Sequence, residues 1–412
     1  MNEHYDDLEV RPPEVREREL LDRLPGLIEL ARRRAPAHSE RLRDVEGTQI
    51  RTREALARLP LLRKSELVGE QRERPPFGGF ATNVWGPRTA RVFVSPGPLH
   101  EPEGARPDYW RMARALYAAG FRAGMLVHNS FSYHFTPAGA MLESGAHALG
   151  CSVFPAGVGQ TEQQVQAIDA LKPQAYVGTP SFLGILLDKA DELGLAPTSL
   201  RCALVSGEAF PALLRERVAE RGVRASQVYA TADLGQIAYE TQPGQGLVVG
   251  EDLIVEIVRP GTGDPLPAGE VGEIVVTSFN PDYPLIRFAT GDLSAVLPGV
   301  SPCGRTNMRL RGWLGRADQT TKVRGMFVHP GQIAEVLRRY PELGRARLVV
   351  DNPEARDRVR LLAETASETE GLGERLVATL REFTKLRCEV ELRAPGTLPN
   401  DGKLIEDLRA LE

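Results

Sequence analysis

Residues 202–210, Cys-Ala-Leu-Val-Ser-Gly-Glu-Ala-Phe, pass from an apolar run into a serine–glycine turn that carries an acid. A short apolar run closed by such a turn reads as a buried strand, and residues 211–221 after it have a helical pattern. The unit recurs on both sides. Apolar runs at 125–128 (MLVH), 151–154 (CSVF), 175–178 (AYVG) and 226–230 (SQVYA) read as strands, with helix-like stretches at 137–149, 161–171 and 181–194 between them. Strands alternating with helices at this spacing predict an α/β fold with a helix-covered parallel sheet. Ligands of such sheets bind beyond the carboxyl ends of the strands. That places Ser206-Gly207-Glu208 and Tyr229-Ala230-Thr231-Ala232-Asp233 where a nucleotide can be held.

Outward from this core the pattern changes. Residues 14–59 read as an arginine- and leucine-rich helix interrupted near Pro25 and Pro36, and Pro60 to Gly104 as loop, dense in breakers. After about residue 245, LIVEIV (253–258) and GEIVVTSF (272–279) flank a turn-rich stretch and predict an antiparallel hairpin, with a third strand near 293–297. Beyond Gly312–Gly315 a helix at 331–340, strands at 345–351 and 357–364, a helix at 371–385 and a strand at 388–392 predict a small α+β unit. The expected division is an N-terminal body, 1–315, and a C-terminal domain, 316–412, of ordinary domain size.

Composition narrows the functional classes. The chain has 412 residues, 42% hydrophobic and 26% charged, which suits a globular protein with a sizeable core. A net charge of −4 with mixed signs gives no basic footprint for nucleic acid. The cysteines 151, 202, 303 and 388 lie far apart, against a disulfide framework or a thiolate zinc site. The acidic, polar MNEHYDDLEV argues against a signal peptide, and no apolar run approaches the ~18 residues of a membrane span. A cytoplasmic protein is expected. Lysine occurs only six times, at 64, 172, 189, 322, 385 and 403, so each is more informative than usual, although a solvated surface accounts for most of them.

Single motifs are weak. Glu208 beside a glycine is an ordinary helix N-terminal acid, Asp292 in Arg287-Phe288-Ala289-Thr290-Gly291-Asp292 an ordinary turn residue, and Lys403 after Asp401-Gly402 an ordinary hairpin lysine. Their order carries more. LPLLRKSEL (59–67), GCSVFPAGVGQTEQQ (150–164), VGTPSFL (177–183), the Ser-Gly-Glu turn, the arginine before Thr-Gly-Asp, PCGR (302–305), Gly315-Arg316-Ala317-Asp318 and the terminal Gly402-Lys403 form one collinear set over nearly the whole chain. This set resembles the adenylate-forming superfamily of acyl-CoA ligases, and most closely the phenylacetate-CoA ligase family.

The resemblance implies two half-reactions: ATP and a carboxylic acid give an acyl-adenylate and pyrophosphate, and coenzyme A then displaces AMP to give a thioester. It implies that Lys403 lies between the substrate carboxylate and the α-phosphate, with Arg316 on ribose or phosphate. Asp292 would accept the ribose hydroxyls, Tyr229 would stack on adenine beside Ala230 and Thr231, and the Ser206–Glu208 turn would hold the base edge. Asp318 resembles the hinge of a mobile C-terminal domain whose rotation brings Arg324 and Gly325 to the thiol site. The aromatic-acid pocket falls on Tyr133, His134 and Phe135, where an apolar wall with one polar group suits an aryl or arylacetic acid.

Departures from the family pattern are specific. Its magnesium glutamate, preceded by a hydroxyl residue, is here Asp233 after Ala232, one methylene shorter; Mg²⁺ is assigned to Asp233. Its phosphate loop, rich in hydroxyls and glycine with a lysine, is here Phe93-Val94-Ser95-Pro96-Gly97-Pro98-Leu99-His100-Glu101-Pro102-Glu103-Gly104, with no lysine, two acids, and only Ser95, Gly97 and His100 suited to phosphate. A Cys/His zinc cluster seen in some members is reduced to Cys303, so no zinc is expected. The partner expected is a small-molecule acid, with a homodimer left open. Transfer to an amine or a carrier-protein thiol, or ligand binding without turnover, are the alternatives.

Overall fold

The computed structural model describes residues 3–409 apart from Pro96, Gly97, Gly261, Gly315, residues 318–320, Gly325, His329, residues 354–356, residues 367–370 and residues 401–402. The chain divides into two compact units, Met1–Phe210 with Arg215–Trp313, and Leu314–Glu412 with Pro211–Leu214.

The first unit is the α/β body that the apolar runs predict. Strands Leu126–Asn129, Ser152–Phe154, Ala175–Gly178, Cys202–Val205 and Arg224–Thr231 alternate with helices Ala138–Ala148, Thr161–Leu171 and Pro180–Glu192, and with helix Ala212–Glu220 from Arg215 onward. In space they run 152–154, 126–129, 175–178, 202–205, 224–231, every neighbouring pair parallel. Val127, Val177, Cys202 and Leu204 are packed with Met112, Leu116 and Phe121 in one core. Strands covered on both faces carry continuous apolar runs, which is why they were legible. The chain leaves strand 126–129 for one neighbour and returns to the other, so a topological switch point lies between 126–129 and 175–178. Beyond 224–231 the sheet continues through 235–240, 247–249, 309–310 and 296–297 with antiparallel pairing.

A second sheet orders Leu62–Arg63, Phe288–Ser294, Gly272–Ser278 and Leu253–Val258, the last two forming the expected hairpin. The strand expected near 293–297 begins earlier, at Phe288, because Phe288 and Ala289 pair with both Val276–Val275 and Leu62–Arg63. Thr290-Gly291-Asp292 therefore sits inside a strand, at a register shift, and Gly291 supplies a φ of +77° there.

Two expectations are corrected. The first helix, Pro13–Arg34, runs through Pro25 and stops only at Ala35. Its face of Leu20, Leu24, Leu27, Ile28 and Ala31 is buried, and at roughly 1.5–3 kcal/mol per large apolar side chain that outweighs the roughly 3 kcal/mol of an interior proline. Residues 60–104 are not all loop: they hold strand Leu62–Arg63, helix Lys64–Glu73 and a hairpin of Thr89–Ser95 with Leu99–Gly104. Pro102 is tolerated because a two-stranded ribbon is all edge.

The second unit has a sheet ordered 389–393, 358–365, 343–351, 405–407, covered by helices Pro330–Arg339 and Leu372–Thr384. Val336, Leu348, Leu361, Leu376 and Leu380 form its core. The edge strand Ile405–Asp407 was not predicted; three residues give no period to read. Among the described residues no helix is long and apolar enough to cross a membrane.

Candidate active site

At the end of strand Arg224–Thr231, Tyr229 Oη donates to Asp292 Oδ2 at 2.7 Å. Trp313 Nε1 donates to Asp292 Oδ1 at 2.9 Å, and the Asp292 amide donates to Thr290 Oγ1 at 3.1 Å. The bulge at Gly291, whose amide donates to Glu273 Oε1 at 3.2 Å, brings this carboxylate level with Tyr229. Asp292 is 7% exposed, so two fixed donors set the plane of a nearly buried carboxylate. Sequence reasoning missed Trp313; a lone indole donor just ahead of the Gly315-Arg316 element was the available signal.

The Ser206–Glu208 turn closes strand Cys202–Val205. The Ser206 amide donates to Gly178 O at 3.2 Å and its hydroxyl to Val228 O at 2.7 Å, while Gly207 takes a φ of +88°. Glu208 Oε1 accepts from the Ser181 amide at 2.7 Å, in the first turn of helix Pro180–Glu192, where a negative charge is favoured. Thr231 Oγ1 accepts from the Leu234 amide at 3.2 Å, and Ala230 pairs with Gln236 across the following hairpin.

The aromatic segment leaves the sheet at the switch point. Tyr133 Oη accepts from Asn129 Nδ2 at 2.8 Å and donates to Glu143 Oε2 at 2.7 Å; burial first, then Glu143, push its phenol above the usual range. His134 is exposed and Phe135 is 79% exposed, so the structure gathers only Tyr133 of the three.

The hairpin that stands in place of the expected phosphate loop turns its acids inward. Glu101 and Glu103 are 1% and 4% exposed; Glu103 pairs with Arg91 at 3.1 Å, and Ser95 Oγ donates to Glu101 Oε1 at 2.5 Å. Gln71, on helix Lys64–Glu73, bonds the His100 backbone twice, at 2.8 and 2.9 Å. Lys64 Nζ donates to Asp233 Oδ2 at 2.6 Å.

In the second unit Lys403 precedes strand Ile405–Asp407 and is exposed, and Arg316 lies near the start of the unit. Arg324 has a φ of +49° and donates to Asp357 O at 2.5 Å. Asp318 and Gly325 lie outside the described residues.

The AMP-binding enzyme family matches residues 113–280, the stretch that holds the parallel sheet and Tyr229. A phenylacetate-coenzyme A ligase of Thermus thermophilus is 32% identical over 98% of this chain and 99% of its own length. The chain belongs to the phenylacetate-CoA ligase family. A Pseudomonas putida phenylacetate-coenzyme A ligase is 32% identical over 85% of this chain and 83% of that protein. A solved 2-hydroxyisobutyryl-CoA ligase in complex with 2-HIB-AMP and CoA superposes with a TM-score of 0.85 at 25% identity, covering 100% of this chain and 93% of that one. The chain is thus an AMP-forming acyl-CoA ligase that works through an acyl-adenylate and uses ATP and coenzyme A.

Against the phenylacetate-CoA ligase pattern two places differ in kind. The ammonium of Lys64 occupies Oδ2 of Asp233, the acid assigned to Mg²⁺, and the carboxylate has 1% side-chain exposure. The ammonium takes one carboxylate oxygen, Oδ2, and leaves Oδ1 buried without a hydrogen-bond partner. Among the described residues no group of three or more His, Cys, Asp or Glu side chains is arranged for a metal. At the reduced zinc element Cys303 Sγ lies 3.0 Å from Ser301 Oγ and 3.5 Å from Arg305 Nη1. Burial raises this thiol, but hydrogen bonds from Ser301, Thr241 and Arg305 outweigh it and bring it down to about 7.

Proposed function

We propose that this acyl-CoA ligase activates an aromatic acid, of the aryl or arylacetic class, and transfers it to coenzyme A. The observation that carries the reading is the 32% identity, end to end, with a phenylacetate-coenzyme A ligase. The solved 2-hydroxyisobutyryl-CoA ligase is named for an aliphatic acid, so acid choice is the property to test within this fold.

In this reading Asp292, its plane held by Tyr229 and Trp313, accepts the ribose hydroxyls of ATP. Tyr229, tethered through its hydroxyl, presents its ring to adenine, and the Ser206–Glu208 turn with Ala230 and Thr231 lines the base. The acid's carboxylate attacks the α-phosphorus, pyrophosphate leaves, and Lys403 with Arg316 offsets the negative charge that accumulates between the two anions. The thiolate of coenzyme A then attacks the acyl carbon and AMP leaves, with Arg324 and Gly325 on the thiol side and Asp318 as hinge. Tyr133 supplies the polar group of the acyl pocket. Domain 316–412 carries the lysine in this proposal, and Mg²⁺ enters with the triphosphate.

Carboxylate-dependent ATP–pyrophosphate exchange over a panel of aryl, arylacetic and aliphatic acids tests the reading. Exchange is expected with aromatic acids. Exchange without a thioester when coenzyme A is added points to another acceptor, and no nucleotide binding removes the enzymatic reading.

A further inference from the structure

We infer, within the aromatic-acid activity proposed above, that Glu143 selects for an acid whose ring carries a hydrogen-bond donor, a hydroxyl or an amino group. The directions of three hydrogen bonds decide this. Asn129, fully buried at the end of strand Leu126–Asn129, accepts from the Phe131 amide through Oδ1 at 3.1 Å and donates to Gly139 O through Nδ2 at 2.9 Å. A backbone N–H only donates and a carbonyl oxygen only accepts, so both partners fix the same orientation of the Asn129 amide. Its nitrogen then also donates to Tyr133 Oη at 2.8 Å. The phenol hydrogen is left for Glu143, whose Oε2 lies 2.7 Å from Tyr133 Oη. Tyr133 therefore has no hydrogen to offer a ligand. Beyond it stands the Glu143 carboxylate, which only accepts, and Tyr133 is its one hydrogen-bond partner among the described residues.

The fold aims that carboxylate at the ligand crevice. Helix Ala138–Ala148 connects strand Leu126–Asn129 to its parallel neighbour Ser152–Phe154, so its N-terminus lies at the carboxyl edge of the sheet. Helical side chains lean toward the helix N-terminus, and Glu143 accordingly reaches back to that edge, where Tyr133 meets it. The edge borders the switch point between strands 126–129 and 175–178, where sheets of this kind take ligands. Gly139 keeps the tyrosine there, since a Cβ at 139 would stand 2.9 Å from its ring. Tyr133 and Glu143 are both half-buried, so a ligand reaches them and covers them from water. A ring with a donor pairs the carboxylate as water leaves; a bare ring or an ether oxygen leaves it unpaired.

ATP–pyrophosphate exchange by the full chain, with phenylacetate and its ring-hydroxy, ring-amino and ring-methoxy isomers, tests this. The methoxy acids keep the oxygen and lose the donor. In wild type at least one hydroxy or amino acid is expected to exceed both phenylacetate and the methoxy acid of the same ring position in kcat/KM, by at least about tenfold. Glu143→Gln, its oxygen accepting from Tyr133, turns an N–H toward the ligand, so the donor-over-methoxy ratio is expected to fall by at least about tenfold. Glu143→Leu is expected to lower the same ratio. Exchange with phenylacetate but no donor preference at any ring position overturns the inference and leaves the aromatic-acid reading standing, as does a preference that either variant keeps. Exchange with no aromatic acid overturns both. Should neither variant fold, the wild-type acid series decides alone.

Discussion

Tyr229 and Asp292, 63 residues apart, meet through a 2.7 Å hydrogen bond that joins the end of strand Arg224–Thr231 in one sheet to the bulged strand Phe288–Ser294 in the other. The phenol and the Trp313 indole hold both oxygens of the carboxylate. Asp292→Ala removes the proposed ribose acceptor and the carboxylate that Tyr229 and Trp313 share, so ATP affinity is expected to fall by about 10- to 100-fold, the worth of one or two charged hydrogen bonds. Tyr229→Phe keeps the ring and removes the donor to Asp292 Oδ2, with a loss of about 5- to 10-fold. Calorimetric titration with ATP reads both; unchanged affinity in Asp292→Ala takes that residue out of the site.

Lys403 is proposed to act in one half-reaction only. Lys403→Ala is expected to lose adenylation by at least about 100-fold while thioester formation from supplied acyl-adenylate stays within about threefold of wild type. Single-turnover assays of each half-reaction separate the two. Equal loss in both contradicts the assignment.

The parallel sheet was legible because buried strands such as Ala175–Gly178 and Cys202–Val205 carry unbroken apolar runs closed by turns. The hairpin at 89–104 was not, since Pro98, Pro102 and Gly104 read as breakers and only its pairing makes it a ribbon. Of the site, Asp292 and Tyr229 stood out by motif, whereas Trp313 carried none. The Lys64–Asp233 pair spans 169 residues, and no local pattern announces it. What the sequence offered was the scarcity of lysine, a hint that one of the six was more than surface.

His38 links fold stability to acid. It is 2% exposed, donates from Nε2 to Pro284 O at 2.6 Å and packs edge-on against Phe80; burial lowers its pKa from 6.5 to about 4. The folded state thus binds fewer protons than the unfolded chain below pH 6.5. Its contribution is whole above that pH and shrinks as pH falls, by about 2 kcal/mol at pH 5 and about 3 kcal/mol by pH 4. Urea denaturation at pH 7.5, 5 and 4 is expected to show this slope in wild type and a flatter one in His38→Gln. Parallel slopes contradict the argument.

Cys303 is expected to react first among the four cysteines. Its thiol is brought down to about 7, whereas burial pushes Cys202 up to about 12 and raises Cys151 and Cys388. Brief iodoacetamide treatment at pH 7, followed by peptide mapping, should label Cys303 at least about tenfold faster than the others, because the thiolate is the nucleophile. Uniform labelling contradicts this.

The central claim is aromatic acyl-CoA synthesis. Its most direct measurement is mass-spectrometric detection of the thioester after incubating the chain with ATP, Mg²⁺, coenzyme A and phenylacetate, with 2-hydroxyisobutyrate in a parallel reaction. The account predicts phenylacetyl-CoA with one AMP released per thioester, at a rate at least about tenfold above that with the aliphatic acid. Preference for 2-hydroxyisobutyrate, or AMP-free thioester formation, would contradict it.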